Sequence, residues 1–308
     1  MSEIYGVGDQ TILGWGVEST PGTAVAPTSY VPIDIGSSAP TFDPNRAAVD
    51  VAMGSPNVTI AVVDRKGKGT WSMAMQAFPV LGADFLAACG LSSTGLAAPS
   101  SLTLVQDYKG KKIQYPGSRA TKILIKGDAQ NGIVITVSGE FIARPIVGSP
   151  LSVPTVSGTN NDPFTYVDLG AVTLISGATT AMDLESFEIS IDMPHALGYG
   201  NSGSPLPSVM ALSRFGITGK LTVFFSDVNV AEYNAMIVAD GLIGAINLPF
   251  SKTVGAETYT LDIALSHAKY QNGPLTAPKD GLDMLDLNFI SFSPNLTNQI
   301  TYTQTTTP

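Results

Sequence analysis

Residues 258–265 read Thr-Tyr-Thr-Leu-Asp-Ile-Ala-Leu, and this stretch decides the fold class. Large apolar side chains recur at every second position, with polar or small side chains between them. A period of two is typical of a strand that has one face on a core and the other face exposed. The same alternation returns in three more stretches. Their apolar positions are Ile133, Ile135 and Val137, then Phe187, Ile189, Ile191 and Met193, then Leu285, Leu287 and Phe289. The chain is therefore predicted to be mainly antiparallel β.

The composition indicates a protein that buries part of its outer surface. Of 308 residues, 44% are hydrophobic and only 13% are charged, about half the charged fraction of an ordinary soluble domain. The hydrophobic fraction excludes a disordered chain, and the single cysteine, Cys89, excludes a disulfide framework. The net charge of −9 argues against a protein that grips nucleic-acid phosphates. We therefore expect subunits that cover one another's apolar surface.

Two segments have the pattern of a helix, and their surroundings suggest a duplication. Residues 79–89 begin with a proline, and residues 228–240 follow Asp227, a plausible N-cap. Each helix follows a strand that opens on glycine, and each ends at Gly-Leu. Gly69 and Gly90 are 21 residues apart in the first copy, and Gly219 and Gly241 are 22 residues apart in the second.

The elements around the two helices recur in one order. A strand, a long loop and a second strand precede each helix, and one short and two longer strands follow it. The predicted later strands are 101–105, 112–125 and 132–143 in the first copy, and 246–250, 257–266 and 283–292 in the second. A linker rich in Gly, Ser, Pro and Asn (148–163) separates the copies. We therefore predict two tandem antiparallel β-sandwich or barrel modules with one flanking helix each: 1–150 with an N-terminal arm, and 151–308 with a C-terminal tail.

Three segments are predicted to lie outside the sheets. Residues 43–66 and 194–213 are long inter-strand loops, and loops of this length are usually functional or disordered. The Thr-rich polar segment 299–308 is either disordered or an arm that becomes ordered on assembly. The sequence leaves both alternatives open.

The run Gly14-Trp-Gly-Val-Glu18-Ser-Thr-Pro-Gly22-Thr-Ala-Val-Ala-Pro27 resembles the opening of phage tail tube proteins, the major tail proteins of long-tailed phages. The order strand, long loop, strand, helix and the low-charge acidic composition are also similar to that family. The resemblance implies a structural virion protein that self-assembles into stacked rings. In the family, sheets of neighbouring subunits join edge to edge around a lumen, and long loops reach the next ring. Two modules in one chain imply a trimer with pseudo-sixfold symmetry.

The resemblance also implies partners and site residues. The partners are other copies of the chain, other tail proteins, and DNA as passing cargo that an acidic lumen conducts into the host. The candidate lumen-facing acidic residues are Glu188, Asp192, Asp262 and Asp286, each of which can equally be an ordinary solvated strand residue. The candidate inter-ring contacts are Arg46, Arg65, Lys66, His195 and Tyr199. We expect no enzyme activity, cofactor, metal or membrane insertion, and a location in the virion tail after synthesis in the bacterial cytoplasm.

Three alternatives stay open at this point. A virion decoration protein or adhesin β-sandwich that binds a host surface glycan would have the same strand pattern. A tail terminator or a secretion-system tube protein would keep the ring and change its role. An enzyme has weak support: the run 200–205 (Gly-Asn-Ser-Gly-Ser-Pro) is close to the nucleophile motif of chymotrypsin-like proteases, but no histidine precedes His195.

Overall fold

The computed structural model describes most of the chain, and the described part is mainly antiparallel β. The described residues are 11–34, 40–43, 46–52, 58–64, 68–79, 82–108, 111–128, 131–148, 162–177, 179–180, 184–199, 207–225, 230–237, 242–272, 274–276, 283–292 and 299–307. The prediction of a mainly β chain with antiparallel pairing is confirmed.

Among the described residues, the N-terminal half contains one α-helix between short and long strands. Its elements are β1 (Thr11–Val17), β2 (Ser29–Val31), β3 (Thr41–Asp43), β4 (Arg46–Ala52), β5 (Val58–Asp64), β6 (Lys68–Gln76), α1 (Ala83–Ala88), β7 (Leu91–Ser92), β8 (Gly95–Leu96), β9 (Leu102–Tyr108), β10 (Lys111–Asp128), β11 (Gly132–Phe141) and β12 (Ile146–Val147).

The C-terminal half begins with a short 3-10 helix at Tyr166–Asp168 and also contains one α-helix. Its elements are β13 (Val172–Thr173), β14 (Thr179–Thr180), β15 (Leu184–Asp192), β16 (His195–Gly198), β17 (Val209–Leu212), β18 (Gly216–Phe224), α2 (Val230–Ile237), β19 (Ile243–Val254), β20 (Glu257–Asn272), β21 (Leu275–Thr276), β22 (Met284–Ser291) and β23 (Ile300–Thr307).

Strand pairing follows one order in both halves. In the N-terminal half the order is β3-β6-β11-β10, and β10 continues to β9, which pairs with β1. In the C-terminal half it is β15-β18-β22-β20, and β20 continues to β19. The halves join where β10 pairs with β15, from Lys122 opposite Asp192 to Asp128 opposite Ser186. We call this pairing the inner junction.

The long strands β10 and β20 each serve two layers of the fold. The first part of β10 pairs with β9 and β12, and its last part pairs with β11 and β15. Similarly, the first part of β20 pairs with β19 and β23, and its end pairs with β22. The register shifts on β10 between Tyr115 and Ser118, and on β20 between Tyr270 and Asn272. Such bulges bend a strand, which lets one strand pass from one layer to the next.

The core lies between the layers and runs through both halves as one cluster. The alternating positions predicted from sequence are buried, including Ile133 and Ile135 on β11, Ile189 on β15 and Leu287 on β22. Two glycines hold an aromatic ring from the neighbouring strand at equivalent places. Gly69 on β6 lies opposite Phe141 and Gly219 on β18 lies opposite Phe289, and a Cβ at either glycine would overlap the phenyl ring.

Several predicted boundaries are wrong. Helix α1 begins at Ala83 rather than Pro79, because Gly82 has a left-handed backbone (φ +97°) that a helix cannot continue through. The described part of α2 covers 230–237, within the predicted 228–240, and the predicted N-cap Asp227 lies outside the described residues. The linker 148–163 lies mostly outside them as well.

The segments predicted to lie outside the sheets contain strands. Within 43–66, β4 pairs with β5, and within 194–213, β16 pairs with β17, so both loops are hairpins. The C-terminal segment is neither disordered nor free, because β23 pairs along β20 from Ile300 opposite Leu265 to Thr307 opposite Thr258. Its alternating Ile300 and Tyr302 are buried, which holds the strand in this register.

Candidate functional site

One face of the continuous sheet carries paired opposite charges. Lys126 on β10 lies 2.7 Å from Glu188 on β15, and Lys122 lies 3.6 Å from Asp192 across the inner junction. Further along the sheet, Lys220 on β18 lies 2.8 Å from Asp286 on β22. We call these six residues the paired-charge face. The strand register places Lys126 directly opposite Glu188 and Lys122 directly opposite Asp192. Lys220 lies opposite Asn288, so it reaches Asp286 diagonally, two residues along β22.

These ion pairs shape the surface more than they stabilise the fold. The side chains of Lys126 and Glu188 are 52% and 46% exposed, and pairs this exposed contribute at most about 1 kcal/mol each. Asp286 also accepts a hydrogen bond from Thr222 Oγ1 at 2.8 Å. Each carboxylate therefore offsets a lysine, and the face is polar with interspersed charge of both signs.

The four candidate acidic residues do not all share this face. Asp192, Glu188 and Asp286 lie on it, whereas Asp262 lies on the part of β20 that pairs with β19 and β23, opposite Pro249 and Thr303. Sequence reasoning found the carboxylates from their strand positions but missed the lysine partners. The lysines also alternate outward on their strands, but their pairing depends on the register between strands whose paired residues are 62–70 positions apart in the chain.

A polar depression of about 480 Å³ crosses the same sheet in the C-terminal half. Residues from four adjacent strands line it: Glu188 and Ser190 on β15, Thr218 and Lys220 on β18, Asn288 on β22, and Gln271 on β20. Glu188 and Lys220 of the paired-charge face are among the residues that line this depression. The paired-charge face therefore borders a polar depression.

The hairpin β16–β17 of the C-terminal half is fastened to the N-terminal half. Arg119 on β10 donates a hydrogen bond from Nη1 to the Met210 carbonyl at 2.7 Å. His195 at the start of β16 is half-buried, and burial, with a smaller effect of Arg119, lowers its pKa. Neither ring nitrogen of His195 has a hydrogen-bond partner among the described residues. Tyr199 follows β16 directly.

The other candidate contact residues are less informative. Arg46 begins β4, opposite Asp64 in the hairpin β4–β5. Arg65 and Lys66 lie outside the described residues, as does the protease-like run 200–205.

The N-terminal motif forms a clamp around Glu18, which is only 6% exposed. Its carboxylate accepts four hydrogen bonds, from Gly22 N (2.8 Å), Gly117 N (2.8 Å), Ser101 Oγ (2.8 Å) and Thr103 Oγ1 (2.7 Å). The donors come from the following turn, from Ser101 directly before β9, from β9 itself and from β10. A buried carboxylate needs such a full set of donors, and here the set ties β1 to two other strands.

The described residues offer little reactive chemistry. No group of three or more His, Cys, Asp or Glu side chains lies close enough among them to hold a metal ion. Burial raises the pKa of the Cys89 thiol, which keeps it protonated and unreactive. In the part of the chain that the structure describes, no helix has the length and apolar character needed to cross a bilayer.

The family comparison is decisive. A family model described as phage tail tube protein matches residues 8–292. The chain belongs to the phage tail tube family. The match covers the clamp around Glu18, both helices and the strands through β22, so the resemblance of the N-terminal run is confirmed. A search of curated proteins found no match. This tail tube protein is a structural component of the virion tail.

Proposed function

We propose that this tail tube protein assembles into rings of three chains that stack into a tube and conduct DNA. The observation that carries the proposal is the inner junction, where an edge strand of one half completes the sheet of the other half. Each half supplies a four-stranded array in one order, β3-β6-β11-β10 and β15-β18-β22-β20. Three chains would supply six arrays, and closure of the ring would pair their edge strands.

The paired-charge face is the surface that we assign to the lumen. It borders the polar depression that crosses four neighbouring strands, and we place this side of the sheet on the inside of a closed ring. DNA slides best along a wall that neither binds nor strongly repels phosphate. Glu188, Asp192 and Asp286 serve this purpose by offsetting Lys126, Lys122 and Lys220. Asp262 is left out of the lumen set because it lies on a different part of the fold.

The two hairpins β4–β5 and β16–β17 are the segments that we assign to contacts between rings. Each hairpin connects the first two strands of its array, β3 to β6 and β15 to β18. Their places in the two halves are equivalent, so six hairpins would extend from each ring. Arg119 fixes the second hairpin against β10 through its bond to the Met210 carbonyl, and this bond sets the direction in which the hairpin extends.

Negative-stain electron microscopy of the purified protein, with and without tail extract as an initiator, tests the proposal. We expect stacked rings or tubes with an open centre. A control variant that shortens β16–β17 to a tight turn should still form rings but should not stack them. Protein that stays monomeric under both conditions contradicts the proposal, and glycan binding by that monomer would favour the adhesin alternative.

A further inference from the structure

The two helices end in the same Gly-Leu pair, but only one of the two leucines is buried. Leu91, after α1, is 0% exposed, whereas Leu242, after α2, is 46% exposed. Ile237 on α2 and Ile243 on β19 are 58% and 50% exposed. We call Ile237, Leu242 and Ile243 the α2 patch. The counterpart of Leu242 in the N-terminal half, Leu91, is therefore covered.

The cover over Leu91 comes from the other half of the chain. Strand β23 packs against α1, β7 and β8. Gln304 on β23 also donates a hydrogen bond to the Phe78 carbonyl at 2.7 Å, just before α1. The strand after β22 in the C-terminal half therefore reaches across the inner junction and closes the apolar surface of the N-terminal half.

The N-terminal half has an equivalent of β23 in β12. Val147 on β12 pairs with Ile113 on β10. Ile113 precedes Ser118 by five residues, and Ser118 lies opposite Phe141. Ile300 on β23 pairs with Leu265, five residues before Tyr270, which lies opposite Phe289. β12 thus occupies the place on β10 that the start of β23 occupies on β20. Ile146 and Val147 are 44% and 75% exposed, so β12 has apolar side chains available for a surface outside its own half.

The two edge strands β21 and β3 are also complementary, because the register of the inner junction can be repeated between them. Among the described residues, β21 pairs only with β22, and β3 pairs only with β6. Thr276 on β21 lies opposite Met284 on β22, and Met284 precedes Phe289 by five positions. In the same way, Leu124 on β10 lies opposite Thr136 on β11, and Thr136 precedes Phe141 by five positions. Thr276 is therefore the counterpart of Leu124, whose partner at the inner junction is Ser190.

The counterpart of Ser190 follows from the glycines that hold the phenyl rings. Ile189 lies opposite Gly219, and Phe42 lies opposite Gly69, so Ser190 corresponds to Asp43 on β3. Repeating the register of the inner junction between two chains places Thr276 of one copy opposite Asp43 of the next.

We infer that the C-terminal half docks a second copy of this chain through two contacts made together. Strand β3 of the second copy lies beside β21 with Asp43 opposite Thr276, and β12 of that copy covers the α2 patch. The inference rests on the proposed assembly and names the residues of its interface. Both contacts come from the N-terminal half of the same neighbour, just as β15 and β23 both reach the N-terminal half within one chain.

Single charge substitutions test the apolar contact. Leu242→Asp and Val147→Asp each place a carboxylate at an exposed position, so the monomer should keep its circular dichroism spectrum and melting temperature. Each should lower ring formation by sedimentation velocity at least tenfold. Val167→Asp is the matched control, because Val167 is 92% exposed and lies in neither contact; it should assemble as the unmodified protein does.

Mixing the two variants separates a blocked interface from a damaged fold. Leu242→Asp keeps an intact β12, and Val147→Asp keeps an intact α2 patch, so an equimolar mixture should form dimers and no closed rings. Rings of normal yield from either variant alone, while Val167→Asp also assembles, would overturn the contact and leave the tube proposal standing. Failure of the unmodified protein to assemble would overturn both.

A disulfide pair tests the register. Facing residues in antiparallel strands have Cα atoms about 4.5–5.5 Å apart, a separation that a disulfide can bridge. Asp43→Cys with Thr276→Cys should give a covalent trimer under mild oxidation. Thr41→Cys with Thr276→Cys, shifted by two residues, should give at least fivefold less. Stronger crosslinking by the shifted pair would overturn the register. The buried Cys89 can stay in both variants.

Discussion

Removing the carboxylate of Glu18 should destabilise the N-terminal half more than any exposed charge does. In Glu18→Ala four donors lose their acceptor, three of them buried and the Gly22 N–H partly buried. The hydroxyls of Ser101 and Thr103 can rotate to other partners, but the backbone N–H groups of Gly22 and Gly117 cannot. A buried donor left without an acceptor costs about 1–3 kcal/mol. Two such donors, partly rehydrated in the cavity, give an expected loss of about 2–4 kcal/mol in the free energy of unfolding.

Glu18→Gln makes the expectation sharper because it keeps the size of the side chain. Each carboxylate oxygen accepts one hydroxyl and one backbone N–H. Whichever oxygen becomes the amide NH₂, one hydroxyl can turn to accept from it, and one backbone N–H is left facing a donor. We therefore expect a loss of about 1–3 kcal/mol, between the unmodified protein and Glu18→Ala.

Urea unfolding followed by tryptophan fluorescence measures both losses, since Trp15 lies on β1 close to the clamp and is buried. Glu185→Gln, at an exposed position of β15, is the control and should change stability by less than about 0.5 kcal/mol. The reasoning is refuted if Glu18→Gln is as stable as the control.

Three other perturbations have expected outcomes. Gly219→Ala should cost about 1–3 kcal/mol, because the new methyl group overlaps the Phe289 ring. Gly216→Ala is the control in thermal melts, because its new Cβ meets no atom within 4 Å. Equal melting temperatures for the two variants would contradict the close packing of Gly219 against Phe289. Glu188→Lys should leave stability within about 1 kcal/mol but should make assembled tubes retain DNA at low salt in a filter assay. Asp262→Lys makes the same change in charge off the paired-charge face and should retain none, so equal retention would remove the lumen assignment. Burial lowers the pKa of His195 below its usual 6.5, so the unfolded chain binds that proton more readily. Stability should therefore fall as the pH drops below 6.5, and His195→Gln should lack this part of the fall in melts from pH 5 to 7.5.

The sequence predicts the strands of this protein well because burial on one face imposes a period of two. Leu261 and Ile263 on β20 and Leu285 and Leu287 on β22 all lie in the core as expected. The sequence also predicts where both helices lie, but the predicted span of α1 is too long. Its apolar positions continue upstream of Gly82, and only the left-handed backbone of that glycine shows where the helix begins.

The hairpins and the ion pairs could not be predicted from the sequence, because they depend on contacts between distant parts of the chain. Gly, Ser and Pro around residues 194–213 favour a loop, and tertiary contacts such as the bond from Arg119 to the Met210 carbonyl override that local preference. The pairing of Lys126 with Glu188 depends on the register between β10 and β15, which no local pattern encodes. Glu18 stood inside the motif that carried the resemblance, yet its role required four donors from three separate segments.

The number of chains in one ring tests the central claim most directly. Native mass spectrometry of isolated rings, with class averages from electron microscopy of the same sample, counts the chains and shows their symmetry. Three chains of 32.0 kDa arranged with pseudo-sixfold symmetry are the predicted result. Rings of six chains would keep the tube but contradict the equivalence of the two halves, because each chain would then supply a single array to the wall.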